Sequence, residues 1–219
     1  MAPARTTLDP AVANEIDARP QQRHPATEKG ARQVAAILDA TLRSIAEHGY
    51  AATSLSRIAA EAGTTKRMVL YYFESREQLI TALVHQLTAQ MVAQSQADLN
   101  AAEDPAEGVR RSARHLWERV TGEPLLVRAY FALLGEAGAD PVLRGLLDHV
   151  RDAHELLLAQ QIQRANELGM QVALDPAALS LLMFAGFRGL LLEFYERGQT
   201  PELDRALALF ENAIGAALQ

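Results

Sequence analysis

The sequence predicts an all-α fold, and three observations carry that prediction. Apolar residues recur at i, i+3 and i+4 from about Lys29 onward. No segment of convincing length alternates apolar and polar residues as a half-buried strand would. Prolines 105, 124, 141, 176 and 201 each stand at or just before a helical stretch, where the missing N–H is harmless.

The elements follow in order. Residues 1–28 are rich in Pro, Ala, Arg and Gln without sustained periodicity and read as a flexible N-terminal arm. Val34, Ile37, Leu38, Leu42, Ile45 and Ala46 form one stripe, predicting a first amphipathic helix that stops at Gly49. Thr53 or Ser54 can cap a short second helix, SLSRIAAEA, which ends at Gly63. Thr65 can cap a third, KRMVLYYF, and Ser75 opens a fourth with Gln78 placed to complete a capping box. Longer helical stretches follow, roughly 76–99, 106–120, 125–137, 142–168, 176–197 and 202–218.

Composition narrows the function. Of 219 residues 49% are hydrophobic and 22% charged, the balance of a globular protein. With no cysteine there is no disulfide framework and no thiol chemistry, which suits a cytoplasmic location. The longest apolar run, Ala177–Phe187, is interrupted by Ser180 and reads as too short to span a bilayer. The net charge of −6 is unevenly spread: residues 1–80 carry ten Lys/Arg against nine Asp/Glu, whereas the remainder carries eleven against eighteen. A modest basic patch on an acidic body fits a protein that touches DNA at one end.

The segment from Thr53 to Phe73 has the form of a helix-turn-helix. Ala59 and Ala62 supply a small contact surface, Gly63 the turn, and Ile58, Val69 and Tyr72 or Phe73 the anchors. Thr65, Lys66, Arg67, Met68 and Tyr71 then lie at the exposed start of the third helix, where a recognition helix meets base edges. Arg67 suits a bidentate contact to guanine, Lys66 guanine or phosphate, and Met68 a thymine methyl. Thr53, Ser54, Tyr71 and Arg76 suit phosphate oxygens, aided by the N–H groups that open the fourth helix. Arg19, Arg23 and Lys29 could add a minor-groove or phosphate contact.

The run HGYAATSLSRIAAEAGTTKRMVLYYFESREQL resembles the N-terminal domain of the TetR/AcrR family of ligand-responsive repressors. Gly49-Tyr50, Thr53-Ser54, Ile58-Ala59, Ala62-Gly63, Thr65, Phe73 and Ser75-Arg76-Glu77-x-Leu79 match that family's pattern over residues 30–83. Four positions depart from it. Thr64 replaces an apolar turn residue and Arg67 a small one. Leu70 takes the place of a frequent DNA-contacting tyrosine, and Tyr72, itself among the candidate contacts, that of a histidine. The resemblance implies a helix-turn-helix domain over residues 29–75 and a helical effector-binding and dimerisation domain over 76–219. It further implies a homodimer on double-stranded operator DNA, and repression relieved by a small molecule.

On its own terms the later sequence supports such a division. LSLLMFAGFRGLLLEFY (179–195) is apolar on nearly every side and must be buried on more than one face, with Gly186 and Gly189 allowing close approach. The stripe Leu203, Ala206, Leu207, Phe210, Ile214, Leu218 could complete a four-helix interface with a second copy. Polar residues that interrupt apolar stripes mark a candidate effector site: His154, Gln161 and Arg188, with aromatic walls from Trp117, Tyr130, Phe131, Phe184 and Phe187. The pair His154–Arg188 would suit a carboxylate, although a largely apolar effector is the working expectation. No cofactor or metal site is expected, because His149 and His154 do not share a helix face and the enzyme motifs for nucleotide, serine or zinc chemistry are missing. The alternative is a helical protein-interaction module without a small-molecule effector.

Overall fold

The computed structural model describes residues 27–170 and 175–217, so the arm expected over residues 1–28 lies almost wholly outside the described residues. Among these residues there are nine α-helices and no strand. They are α1 Glu28–Ala52, α2 Leu55–Glu61, α3 Lys66–Phe73, α4 Arg76–Asn100, α5 Pro105–Gly122, α6 Pro124–Glu136, α7 Pro141–Glu167, α8 Pro176–Arg197 and α9 Pro201–Ala216. Five helices begin on the prolines singled out above. Asp104, Asp140, Asp175 and Thr200 cap α5, α7, α8 and α9, their side-chain oxygens accepting first-turn N–H groups.

At the N-terminal end the punctuation is equally local. Gly49 (φ 80°, ψ 165°) breaks α1, so the regular helix ends where the sequence places its stop and the chain swings Tyr50 onto a new direction. Ser54, rather than Thr53, caps α2, accepting from the Arg57 N–H. Thr53 is buried and donates its hydroxyl to the Gly49 carbonyl at 2.8 Å. The turn at Gly63 (φ 61°) is a Schellman closure: Gly63 N–H reaches the Ala60 carbonyl at 3.2 Å, and Thr64 N–H the Ala59 carbonyl at 2.8 Å. Thr64 takes the place of an apolar residue there without disturbing either bond. The capping box at α4 is half formed. Ser75 accepts from the Gln78 N–H at 3.1 Å, but the Gln78 side chain points back to Glu74 at 3.5 Å.

Two packing relations position the functional parts. Ile37, Ile45, Ile58, Val69, Phe73, Leu79 and Ile80 are almost completely buried in the core of the N-terminal helices. That core continues without a gap into Ala129 and Leu133 of α6 and Leu143 and Leu146 of α7, with α1 lying along α6. The second relation is α4, which starts inside this core and runs on to pack with α5 and α7 around Val92, Leu99, Val109, Leu157, Leu158 and Ile162. One helix therefore belongs to both ends of the molecule. Gly186 of α8 is a true close approach, since a Cβ there would lie 2.7 Å from the Phe210 ring of α9, whereas Gly189 faces open space.

Candidate DNA-reading face and effector cavity

Helix α3 presents the face that the sequence predicts. Val69, Tyr72 and Phe73 turn inward at i, i+3, i+4, and both aromatic candidates serve as anchors. Lys66 and Arg67 are left exposed, with Met68 (40% exposed), Leu70 and Tyr71 beside them. Thr65 is the N-cap, its hydroxyl accepting from Met68 N–H at 3.2 Å, so the first turn is held rigid. Neither Lys66 nor Arg67 forms an ion pair with a described residue. Tyr71 sits edge-on to Tyr72, ring centroids 5.1 Å apart. Arg57 on α2 is exposed as well and extends this cationic surface, and Leu70 extends it on the apolar side. Neither figured among the predicted contacts.

Three expected contacts take different positions. Tyr72 is 9% exposed and packs in the core, because its place on the helix coincides with the inward stripe. Thr53 is spent on closing the α1 terminus. Arg76 is engaged with Tyr50: Nη2 donates to the Tyr50 carbonyl, and the guanidinium lies 4.0 Å from the centroid of the Tyr50 ring. The same carbonyl also accepts from the Thr53 N–H at 3.2 Å, so Arg76 adds a second bond to it and is directed at the protein. Ser54 remains exposed at the start of α2.

In the body a cavity of about 230 Å³ lies among helices α1 and α4 to α9, and its wall is overwhelmingly apolar. Tyr130, His154, Gln161, Phe184, Phe187 and Arg188 all line it, so six of the eight residues picked from the stripes converge on one space. The other two stand behind it. Trp117 is buried and packs edge-on against Phe187 and Phe194, both at 5.9 Å. Phe131 packs between Tyr130 and Tyr195. Ser95 and Ser180 line the cavity too and were not picked out, because a lone serine in a helix carries little sequence signal. A second, more polar cleft adjoins it, sharing Tyr130, Leu147, Phe184 and Arg188 and adding Arg144, Asp148 and Arg151.

The electrostatics separate His154 from Arg188. His154 Nδ1 is 2.7 Å from the Val150 carbonyl, which can only accept, so Nδ1 carries the proton. Burial pushes the imidazole pKa down, only partly opposed by that hydrogen bond, and the ring is neutral with Nε2 as an acceptor. It therefore adds no positive charge to Arg188, which is exposed and lies over Phe184 at 5.9 Å. Burial raises the Tyr130 pKa, and the nearby Arg188 pulls against that rise.

The outward face of α8 leaves several large apolar side chains uncovered. Leu181, Leu182, Leu192 and Tyr195 are 58%, 68%, 40% and 49% exposed, and Leu209 of α9 is 71% exposed. Because the apolar character continues past Arg188 to Leu192, α8 is, by length and composition only, long enough to cross a membrane. That corrects the expectation drawn from the run 177–187 alone.

Comparison with known proteins bears on these features. Residues 37–83, which hold the helix-turn-helix, match the family model of bacterial regulatory proteins, tetR family. The chain is 27% identical over 188 residues to the HTH-type transcriptional regulator BetI of Rhizobium meliloti (strain 1021), an alignment covering 84% of this chain and 88% of BetI. The fold is similar to that of a TetR family transcription regulator from Marinobacter aquaeolei VT8, with TM-score 0.69 and 23% identity over 87% of this chain and 97% of that one. It is also similar to FadR from Bacillus subtilis in complex with stearoyl-CoA, with TM-score 0.72 and 19% identity over 84% and 96% of the two chains. The matched proteins are transcriptional regulators rather than enzymes, and the helix-turn-helix match, the long alignment to BetI and the shared all-helical architecture make this chain similar to TetR-family transcriptional regulators.

Proposed function

We propose that the protein is a homodimeric repressor that leaves its operator when a small, largely apolar molecule fills the cavity of the body. The observation that carries this reading is the course of α4, which begins one residue beyond the α3–α4 turn and ends in the cavity wall. Ser75 caps its first turn beside the reading head, while Leu87, Met91 and Ser95 of the same helix line the cavity. A ligand that prefers one placement of α4 shifts the population of reading-head orientations by that preference and no more.

Dimerisation follows from the reading task and from the uncovered face. Two recognition helices must meet successive major grooves about 34–36 Å apart, which a two-fold dimer achieves. Covering Leu181, Leu182, Leu192 and Leu209 with their symmetry mates would form a four-helix interface from α8 and α9. Arg67, Met68 and Tyr71 read the groove, with Thr65 setting the first turn and Ser54, Arg57 and Lys66 at the backbone. A protein of this kind works where the chromosome is, in the cytoplasm. That FadR of Bacillus subtilis was solved with stearoyl-CoA supports a ligand with a long apolar body in this fold.

The test is a fluorescence titration of the purified protein with DNA from upstream of its own gene and of neighbouring genes. Saturable, salt-sensitive binding that beats random DNA is expected. Binding no tighter than to random DNA at any of these promoters would overturn the reading.

A further inference from the structure

Most of the cavity wall is hydrocarbon, yet polar side chains besides Tyr130, His154 and Arg188 also line it. Ser95 on α4, Gln161 on α7 and Ser180 on α8 all line it and are only 5%, 3% and 6% exposed. Gln161 is the residue that needs explaining. Its Oε1 is sealed from solvent without a hydrogen-bond partner, and no described residue bonds its amide. A buried amide left unpaired destabilises the fold, whereas leucine or methionine of similar size would not. An interhelical hydrogen bond, the usual reason for such a glutamine, is not made.

The surroundings restrict what could pair with it. The helical segments that carry the three polar residues pack together around Val92, Leu99, Leu157, Leu158, Ile162 and Leu179. Arg188 is eight residues farther along α8 than Ser180, about 12 Å at the helical rise. His154 is seven residues before Gln161, about 10 Å away on the same face of α7. No other cation among the described residues lines the cavity. A carboxylate seated at Gln161 would be a buried, unpaired charge. A hydroxyl would not, because it both donates and accepts and so satisfies either end of an amide.

We propose that the effector is an uncharged amphiphile whose hydroxyl seats at the Ser95–Gln161–Ser180 wall of the cavity while its apolar body runs toward Phe184 and Phe187. This rests on the reading that the cavity binds the effector, and it names the chemical class. Gln161 is the specificity-determining residue, and the serines set the polarity around it.

The experiment uses the full chain and three probes with the same apolar body: n-octanol, octyl methyl ether and octanoate. Trp117 is the sole tryptophan and contacts Phe187 of the cavity wall, so its fluorescence reports filling of the cavity. Octanol is expected to bind about tenfold tighter than the ether and tighter than octanoate, as one buried hydrogen bond provides. In Gln161→Leu, and in the more nearly isosteric Gln161→Met, the alcohol and the ether should bind alike. Ether affinity should be retained in both variants, and the melting temperature should be unchanged or higher. Equal binding of alcohol and ether to the unaltered protein would overturn the proposal. So would tightest binding by octanoate that Arg188→Ala abolishes, which would place an anionic head at Arg188. If no probe binds, the effector reading itself falls with it, an outcome distinct from ether and alcohol binding equally.

Discussion

The hydroxyl of Tyr50 donates to Asp140 Oδ2 across 3.0 Å, joining the end of the first helix to the N-cap of α7. Tyr50 is held from the other side by Arg76, so one residue contacts the start of α4 and the start of α7 together. Burial and the Asp140 hydrogen bond raise the Tyr50 pKa, with Arg76 opposing, and the hydroxyl is the donor at neutral pH. Because α7 carries His154 and Gln161, the link runs from the cavity wall to the reading head without passing through the middle of α4. Tyr50→Phe keeps the ring beneath Arg76 and deletes the bond. It should cost up to about 1 kcal/mol in urea unfolding and blunt the effector response while effector-free DNA affinity stays nearly the same. An unchanged effector response would show that the head is governed through α4 alone.

The reading face divides into roles. Arg67→Ala should relax preference at one base step by about 1–3 kcal/mol. Lys66→Ala should weaken all sequences together and reduce the salt slope by about 1. Arg76→Ala should act first on stability, lowering the melting temperature through loss of its hold on Tyr50. Binding isotherms on matched and mismatched operators at several salt concentrations separate the three.

His85 of α4 and His149 of α7 stack with ring centroids 4.1 Å apart and planes 22° from parallel. Burial lowers both imidazole pKa values; the charge of His149 lowers that of His85 further, while Asp152 partly restores that of His149. The folded chain therefore binds fewer protons than the unfolded chain just below the ordinary imidazole pKa of about 6.5. Stability should be fullest above that pH and fall as the pH drops from it toward the lowered folded-state values. Melting temperatures followed downward from neutral pH should show this decline. The double variant His85→Phe, His149→Phe should flatten much of it, leaving the part due to His154, whose pKa burial also lowers.

Leu182→Glu or Leu209→Glu should convert the proposed dimer to monomer. Each removes a burial worth about 2 kcal/mol, counted twice by two-fold symmetry, and sets a carboxylate against its mate. Sedimentation velocity reads the state directly, and operator binding should fall in parallel. A variant that stays dimeric would place the interface elsewhere.

Glu74 joins α3 to α4 at φ 51°, ψ −40°, with Ser75 N–H turned back on the Phe73 carbonyl. This is close to the γ-turn geometry that side chains disfavour. Glu74→Gly should stabilise the head by up to about 1 kcal/mol, read as a rise in melting temperature. A loss of stability would mean that the Gln78–Glu74 contact outweighs the backbone strain.

Much of the fold is determined locally and was legible for that reason. The helix starts at Pro105, Pro124, Pro141, Pro176 and Pro201, the break at Gly49, the turn at Gly63 and the caps at Thr65 and Ser75 depend on residues within one turn of each other. The inward stripe Val69, Tyr72, Phe73 follows from helical spacing alone, and so does the exposure of Lys66 and Arg67. Tertiary structure decided what spacing does not encode. Arg76 could have faced phosphate or the protein, and the Tyr50 carbonyl and ring hold it against the protein. His154 could have been a cation beside Arg188, and burial with the Val150 carbonyl made it a neutral acceptor. Ser95, Gln161 and Ser180 are scattered over three helices of the sequence. Only the packing of those helices around one cavity, which depends on contacts between residues far apart in the chain, brings them to a common wall.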